Sequence, residues 1–160
     1  MISSAHLLRP APFAFLDSPN HRSIRALAGY WADKRGERSM PLRGDIDPLE
    51  LKPHLASLFL LDVIESGRDF RYRLVGTTIT DMNDRNVTGT TIRTEYACPV
   101  TLRYVDSVLG TVVSERRPRF TRGSVFWRPK KDHRSFEAGY FPISGDGTSV
   151  DMILAEVRFS

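Results

Sequence analysis

The pattern of apolar and polar positions is clearest between residues 58 and 76, LFLLDVIESGRDFRYRLVG. An apolar run (Leu58, Phe59, Leu60, Leu61, Val63, Ile64) meets a turn at Ser66-Gly67-Arg68-Asp69. A second run follows, in which Phe70, Tyr72 and Leu74 alternate with Arg71 and Arg73. Period-two alternation marks a strand with one buried face, and the glycine between the runs predicts a β-hairpin. Three more strands are predicted toward the C-terminus, over 119–127, 135–143 and 150–159, the last two joined by the turn Ser144-Gly145-Asp146-Gly147. Pro142 cannot donate to a ladder, so it predicts a strand end or an edge.

Helical spacing appears elsewhere. Ile24, Leu27, Ala28 and Trp31 recur on one face of a helix that Asn20 can cap and Gly36 ends, with Lys34 and Arg35 near its C-terminus. Asp47-Pro48-Leu49-Glu50 carries a cap, a first-position proline and a capping-box acid, predicting a short helix. Weak helical turns are expected over 77–84. A longer helix is expected over 99–115, where Val105, Val108, Leu109, Val112 and Val113 share one side with Leu102 a turn earlier. Its β-branched residues favour strand, but the period and Pro99 favour helix. Residues 1–19, with Pro10, Pro12 and Pro19, read as a flexible tail ahead of one domain over 20–160. Hairpin-joined strands with helices inserted between two groups imply an α+β domain built on an antiparallel sheet.

This order and these residues resemble the PAS domain family, in particular a PAS-like subfamily of alphaproteobacteria. The residues carrying the resemblance begin with Tyr30-Trp31, Arg38, Met40-Pro41 and Arg43-Gly44-Asp45-Ile46-Asp47-Pro48. They continue with Phe59-Leu60-Leu61-Asp62-Val63, Phe70-Arg71-Tyr72-Arg73-Leu74-Val75-Gly76 and Thr88-Gly89. The last are Phe141-Pro142-Ile143-Ser144, Asp146-Gly147 and Val150-Asp151-Met152. The resemblance implies a five-stranded antiparallel sheet, with helices inserted between its second and third strands and an N-terminal helix. It also implies a sensory or signalling module without a catalytic set. The 160 residues leave no room for a separate effector, so signalling is expected to run through a protein partner or through self-association. PAS domains often pair through an N-terminal helix. Residues 21–35 therefore either make a dimer surface or cover the sheet.

Composition narrows the classes. The chain is long enough to bury a core without disulfides, and its 41% hydrophobic and 26% charged residues are ordinary for a globular protein. The longest apolar run is broken at Asp62, short of the ~20 residues a membrane span needs. The apolar stretch at 11–16 is too short and too poor in basic flanks for a signal peptide. The single cysteine, Cys98, fits a reducing compartment, and the cytoplasm is the expected location. The net charge is +4, with eight Lys and Arg between residues 116 and 134. That stripe reads either as a solvated edge strand or as an anion or partner surface using Arg128, Lys130 and Lys131. No regular interleaving of aromatics supports nucleic-acid binding.

Chemical motifs are sparse. His6, His21, His54, His133 and Cys98 are too scattered for a metal site. No Gly-x-Ser-x-Gly elbow or glycine-rich phosphate loop occurs, so no catalytic residues are expected. Asp47 reads as a cap and Asp45 as turn chemistry. Among the cofactor modes that the resemblance raises, an axial haem histidine is missing from 77–115. Ala97-Cys98-Pro99 departs from the flavin-photoreceptor cysteine motif, so the cofactor is unassigned. There remains a pocket between sheet and helices. Extrapolated alternation gives it Tyr72, Leu74, Met82, Tyr104, Val108, Phe126, Tyr140 and Met152, whose alternative role is ordinary core packing. Three functions stay open: a small-molecule sensor acting on a partner, an interaction adaptor with a solid core, and a binder of nucleic acid or nucleotide phosphate.

Overall fold

A computed structural model describes residues 12–96 and 98–160. Its centre is one antiparallel sheet of six strands: β1 (Phe13–Leu16), β2 (Leu58–Ile64), β3 (Asp69–Val75), β4 (Arg119–Ser124), β5 (Ser135–Ile143) and β6 (Met152–Phe159). The strands lie in the order β1-β4-β5-β6-β2-β3. The antiparallel α+β architecture is as predicted, with one strand more than expected. That strand comes from the segment read as a flexible tail: Phe13 to Leu16 pair with Gly123 to Phe120 at the β4 edge. Prolines around a four-residue run hid it, because its pattern is too short to show a period. Residues 1–11 of the predicted tail lie outside the described residues.

The hairpin at 58–76 forms, with Glu65, Ser66 and Gly67 all at positive φ in the turn. A bulge in its ladder pairs Leu60 with Leu74 but Leu61 with Tyr72, leaving Arg73 as the extra residue. One extra residue reverses which face the following side chains take.

Helix α1 (Arg22–Arg35) starts one residue later than the predicted cap: His21, not Asn20, is the N-cap, its ring accepting from the Ser23 amide. The Asn20 and His21 amides instead donate to the Glu137 carboxylate, at 2.8 and 2.9 Å. Residues 48–51 form a turn rather than a helix. Asp47 does act as a cap there, accepting from the Leu49 amide, and a 3-10 segment (Lys52–Ser57) leads into β2. Between β3 and β4 lie α2 (Thr77–Asn83), α3 (Ile92–Glu95) and one continuous helical stretch over 99–115, here called α4. The middle of α4, Val105–Leu109, is π-helical. Ser107 and Thr111 donate back to the carbonyls of Arg103 and Ser107, a side-chain competition that loosens the regular ladder there. The helical period prevailed over strand propensity because Tyr104, Val105, Val108, Leu109 and Val112 all bury against the sheet.

The two faces of the sheet have different covers. Alternation along β5 sends Tyr140 toward α2–α4, while Gly139 faces α1. A Cβ at Gly139 would lie 2.8 Å from Ile24 Cγ2, so this glycine lets α1 approach closely. Trp31 Nε1 donates to the Pro142 carbonyl at 2.8 Å. Pro142 itself lies on an interior strand, but past the last β4 partner, Tyr140, so its missing N–H breaks no ladder on that side. The strand-end reading of Pro142 holds and the edge reading does not.

Candidate functional site

The face of the sheet opposite α1 carries a connected set of rings. Tyr104 on α4 meets Phe126, Phe136 and Tyr140 at centroid distances of 5.3, 6.1 and 6.1 Å. Tyr140 continues to Phe59 and on to Tyr72, while Phe126 continues to Trp127. These rings line a cavity of about 80 Å³, to which Ile79, Met82, Val105 and Leu109 from the helices also contribute. A drug-sized ligand ordinarily takes ~300–1,000 Å³, so this space suits a small molecule or a few waters.

Its polar groups are few and mostly paired. The Tyr104 hydroxyl lies 2.7 Å from Thr121 Oγ1 and 2.5 Å from the Tyr140 hydroxyl. Burial pushes the pKa of all three phenols, Tyr72, Tyr104 and Tyr140, upward, so the wall is uncharged at neutral pH. Tyr96, Asn83 and Thr101 add polar lining, and Asn83 Oδ1 accepts from Trp127 Nε1 at 3.1 Å. Beside this wall a second opening, sharing Asn83, Tyr96 and Trp127, is bordered by the Arg85–Glu95 ion pair and by Arg128.

Of the predicted pocket residues, Tyr72, Met82, Tyr104, Phe126 and Tyr140 line the cavity. Leu74 does not: the bulge turns it to the α1 face, where it is 42% exposed. Val108 and Met152 are buried in the core but outside the lining, since α4 directs Val105 and Leu109 to the cavity and β6 directs Val157. Sequence reasoning left out further lining residues: Phe59, Phe136, Val157, Val105 and Leu109 lie on regular elements and were not singled out for the pocket, whereas Tyr96, Asn83, Thr101 and Trp127 lie in irregular segments or at helix ends with no period to extrapolate.

The basic stripe is largely engaged within the fold. Lys131 Nζ donates to the carbonyls of Asp81 and Met82 at the end of α2 and pairs with Asp84, as does Arg128 at 2.6 Å. Those two cations hold the Asp84 carboxyl below the usual carboxylate range. Lys130 is exposed, and the edge-strand reading fails because β1 covers β4. The apolar face of α1 (Ile24, Leu27, Trp31) is buried on the sheet, not offered to a second copy.

On the α1 face, Glu156 is fully buried and accepts from Ser23 Oγ at 2.5 Å and Arg158 Nε at 2.8 Å, with His54 Nδ1 at 3.0 Å. The arrangement is not a catalytic triad, because the same His54 nitrogen faces both Ser23 and Glu156 and relays nothing between them. Cys98 is exposed at the α4 N-cap, where the Thr101 hydroxyl lowers its thiol pKa. Among the described residues, no group of three or more His, Cys, Asp or Glu is placed to hold a metal, and no helix is long and apolar enough to cross a membrane.

The order of strands, the helices inserted after the β2–β3 hairpin and the cavity beneath α4 agree with a family comparison in which the PAS domain model matches residues 19–142. The chain belongs to the PAS domain family. No curated protein and no solved structure matched it. Within this PAS domain, the residues that carried the resemblance mostly build its frame. Tyr30 bridges the Asp47 amide and Glu50, Arg38 pairs with Asp45, and Asp151 holds Arg43 and the Gly145 amide. Phe59 and Tyr72 alone among them reach the cavity. PAS membership supports a sensory or signalling role.

Proposed function

We propose that this PAS domain is a cytoplasmic, non-catalytic sensor that takes a small, uncharged, ring-sized molecule into the cavity beneath α4 and reports it to a protein partner. The supporting observation is the cavity itself: a wall of aromatic rings without a charged side chain, whose strongest polar groups already satisfy one another. A carboxylate ligand fits poorly, because the Tyr104 and Tyr140 hydroxyls are engaged with each other and with Thr121. The π-helical centre of α4 stands directly over the cavity through Val105 and Leu109. A ligand there would favour one packing of this helix over another, which is how binding would alter the partner surface. Pairing of two copies, if the partner is a second chain, would use surfaces other than the buried face of α1.

Native mass spectrometry of the chain purified from its own host tests the reading. A retained small molecule, lost when Tyr104 is replaced by Trp to fill the cavity, is the expected result. An empty protein that co-elutes with one partner would replace the sensor by an adaptor with a solid core.

A further inference from the structure

The cavity is small for a sensor, and strand β1 packs against the outside of its wall. Phe13 points to the cavity side of the sheet and stacks edge-on against Tyr104 at 4.8 Å, with Phe126 at 6.0 Å. Both of those residues are cavity wall. The Phe13 ring thus packs behind the cavity wall, against Tyr104 and Phe126, without lining the cavity itself. The strand that carries it is held by a register of four residues on the β4 edge. That docking depends on a missing side chain: a Cβ at Gly123 would lie 2.1 Å from the Pro12 carbonyl oxygen and 2.9 Å from Phe13 Cα. No other atoms within 3 Å oppose it, so Gly123 is specific to seating β1.

The geometry points to Phe13 as an internal stand-in for an aromatic ligand, so that a ring-sized, uncharged aromatic compound enters the cavity at this end and β1 leaves β4 as it does so. This inference rests on the sensor reading and adds its ligand class and the element that moves. A site blocked by its own chain binds with an affinity reduced by the fraction of molecules that are open, and ligand and strand must oppose each other reciprocally. The freed β4 edge would then present unpaired backbone groups, a surface that accepts another strand.

Indole is a suitable probe. In the full chain, saturating indole is expected to raise hydrogen exchange at the amides of residues 13–16 at least ten-fold while leaving the β2 and β6 amides unchanged. Gly123→Val, which retains Phe13 but cannot seat β1, is expected to bind indole at least five-fold more tightly by calorimetry. Should Gly123→Val fail to fold, the exchange response of the wild-type chain decides alone. Indole bound in the wild-type cavity with β1 amides still protected overturns the displacement and leaves the sensor reading standing. A folded Gly123→Val with fast exchange at 13–16 that takes up no indole overturns both.

Discussion

Tyr104 is the residue on which the site turns. It joins α4 to β4 through Thr121 and to β5 through Tyr140, and it carries Phe13 on its outer side. Replacing it by Phe keeps the ring and removes both hydrogen bonds. The expected cost is about 1–2 kcal/mol, read as a lower midpoint in urea unfolding. Its raised pKa, shared with Tyr72 and Tyr140, has a defined sign. The folded state holds these phenols neutral above the ordinary value near 10, so their contribution is complete below pH 10. It is lost as pH rises from there toward the folded values. Tyrosinate absorbance should therefore rise for these three only together with unfolding; a gradual rise in the native protein would contradict their burial. Leu74 is the opposite case. Exposed by the bulge, it should tolerate Leu74→Ser within about 0.5 kcal/mol, whereas Tyr72→Ala should cost about 3 kcal/mol or more.

At the scale of elements, two contacts set the position of α1. Gly139 admits Ile24, and Glu156 gathers Ser23, His54 and Arg158 so that the first turn of α1, the 3-10 segment before β2 and β6 are tied at one carboxylate. Glu156→Ala leaves Arg158 and His54 without that partner in a largely buried setting. A loss of about 2–4 kcal/mol is expected, with faster hydrogen exchange in α1 than in β5. Equal loss across the whole chain would show that the cluster is no specific anchor of α1. The extent of α1 was legible because it buries one side over several periods, and that of β5 because Phe136, Ala138 and Tyr140 alternate and a turn follows at 144–147, although the strand is buried on both faces. The bulge in β3 and the π segment in α4 were not. Each shifts the phase of a pattern by one residue, and the apolar residues downstream read equally well in either phase.

At the scale of the molecule, the charge distribution stabilises the fold more than it advertises a ligand. Asp84 holds Lys131 and Arg128, while Asp45 and Asp146 accept backbone amides in their turns, and all three carboxyls are shifted downward. A depressed carboxyl stabilises above its unfolded value near 4 and loses that contribution as pH falls through the folded one. Stability should thus decline below about pH 4. Asp84→Asn should flatten that decline while lowering the neutral-pH plateau, as denaturant titrations at several pH values would show. Much of the basic stripe at 116–134 is taken up within the fold: Arg128 and Lys131 pair with Asp84, Lys131 also donates to the Asp81 carbonyl, and Arg117 and Arg119 pair with Glu115.

By itself, the sequence determined the antiparallel α+β domain, the β2–β3 hairpin, the long helix and membership of the PAS family. The elements rest on local periodicity, which a one-dimensional pattern records; the family rests on the residues that carry the resemblance and on the match over 19–142. Of the eight proposed pocket positions, Tyr72, Met82, Tyr104 and Tyr140 lie on strands or helices and line the cavity, while Phe126 lines it from a turn just past the end of β4, short of the strand predicted to 127. Tertiary structure alone decided that residues 13–16 join the sheet, that Leu74 turns outward and that the apolar face of α1 lies on the sheet. It also decided that the cavity wall is completed by Tyr96, Asn83, Thr101 and Trp127. Each depends on contacts between residues far apart in the chain, such as Gly123 with Pro12 or Glu156 with Ser23, where the absence of one Cβ or the placing of one carboxylate selects the packing.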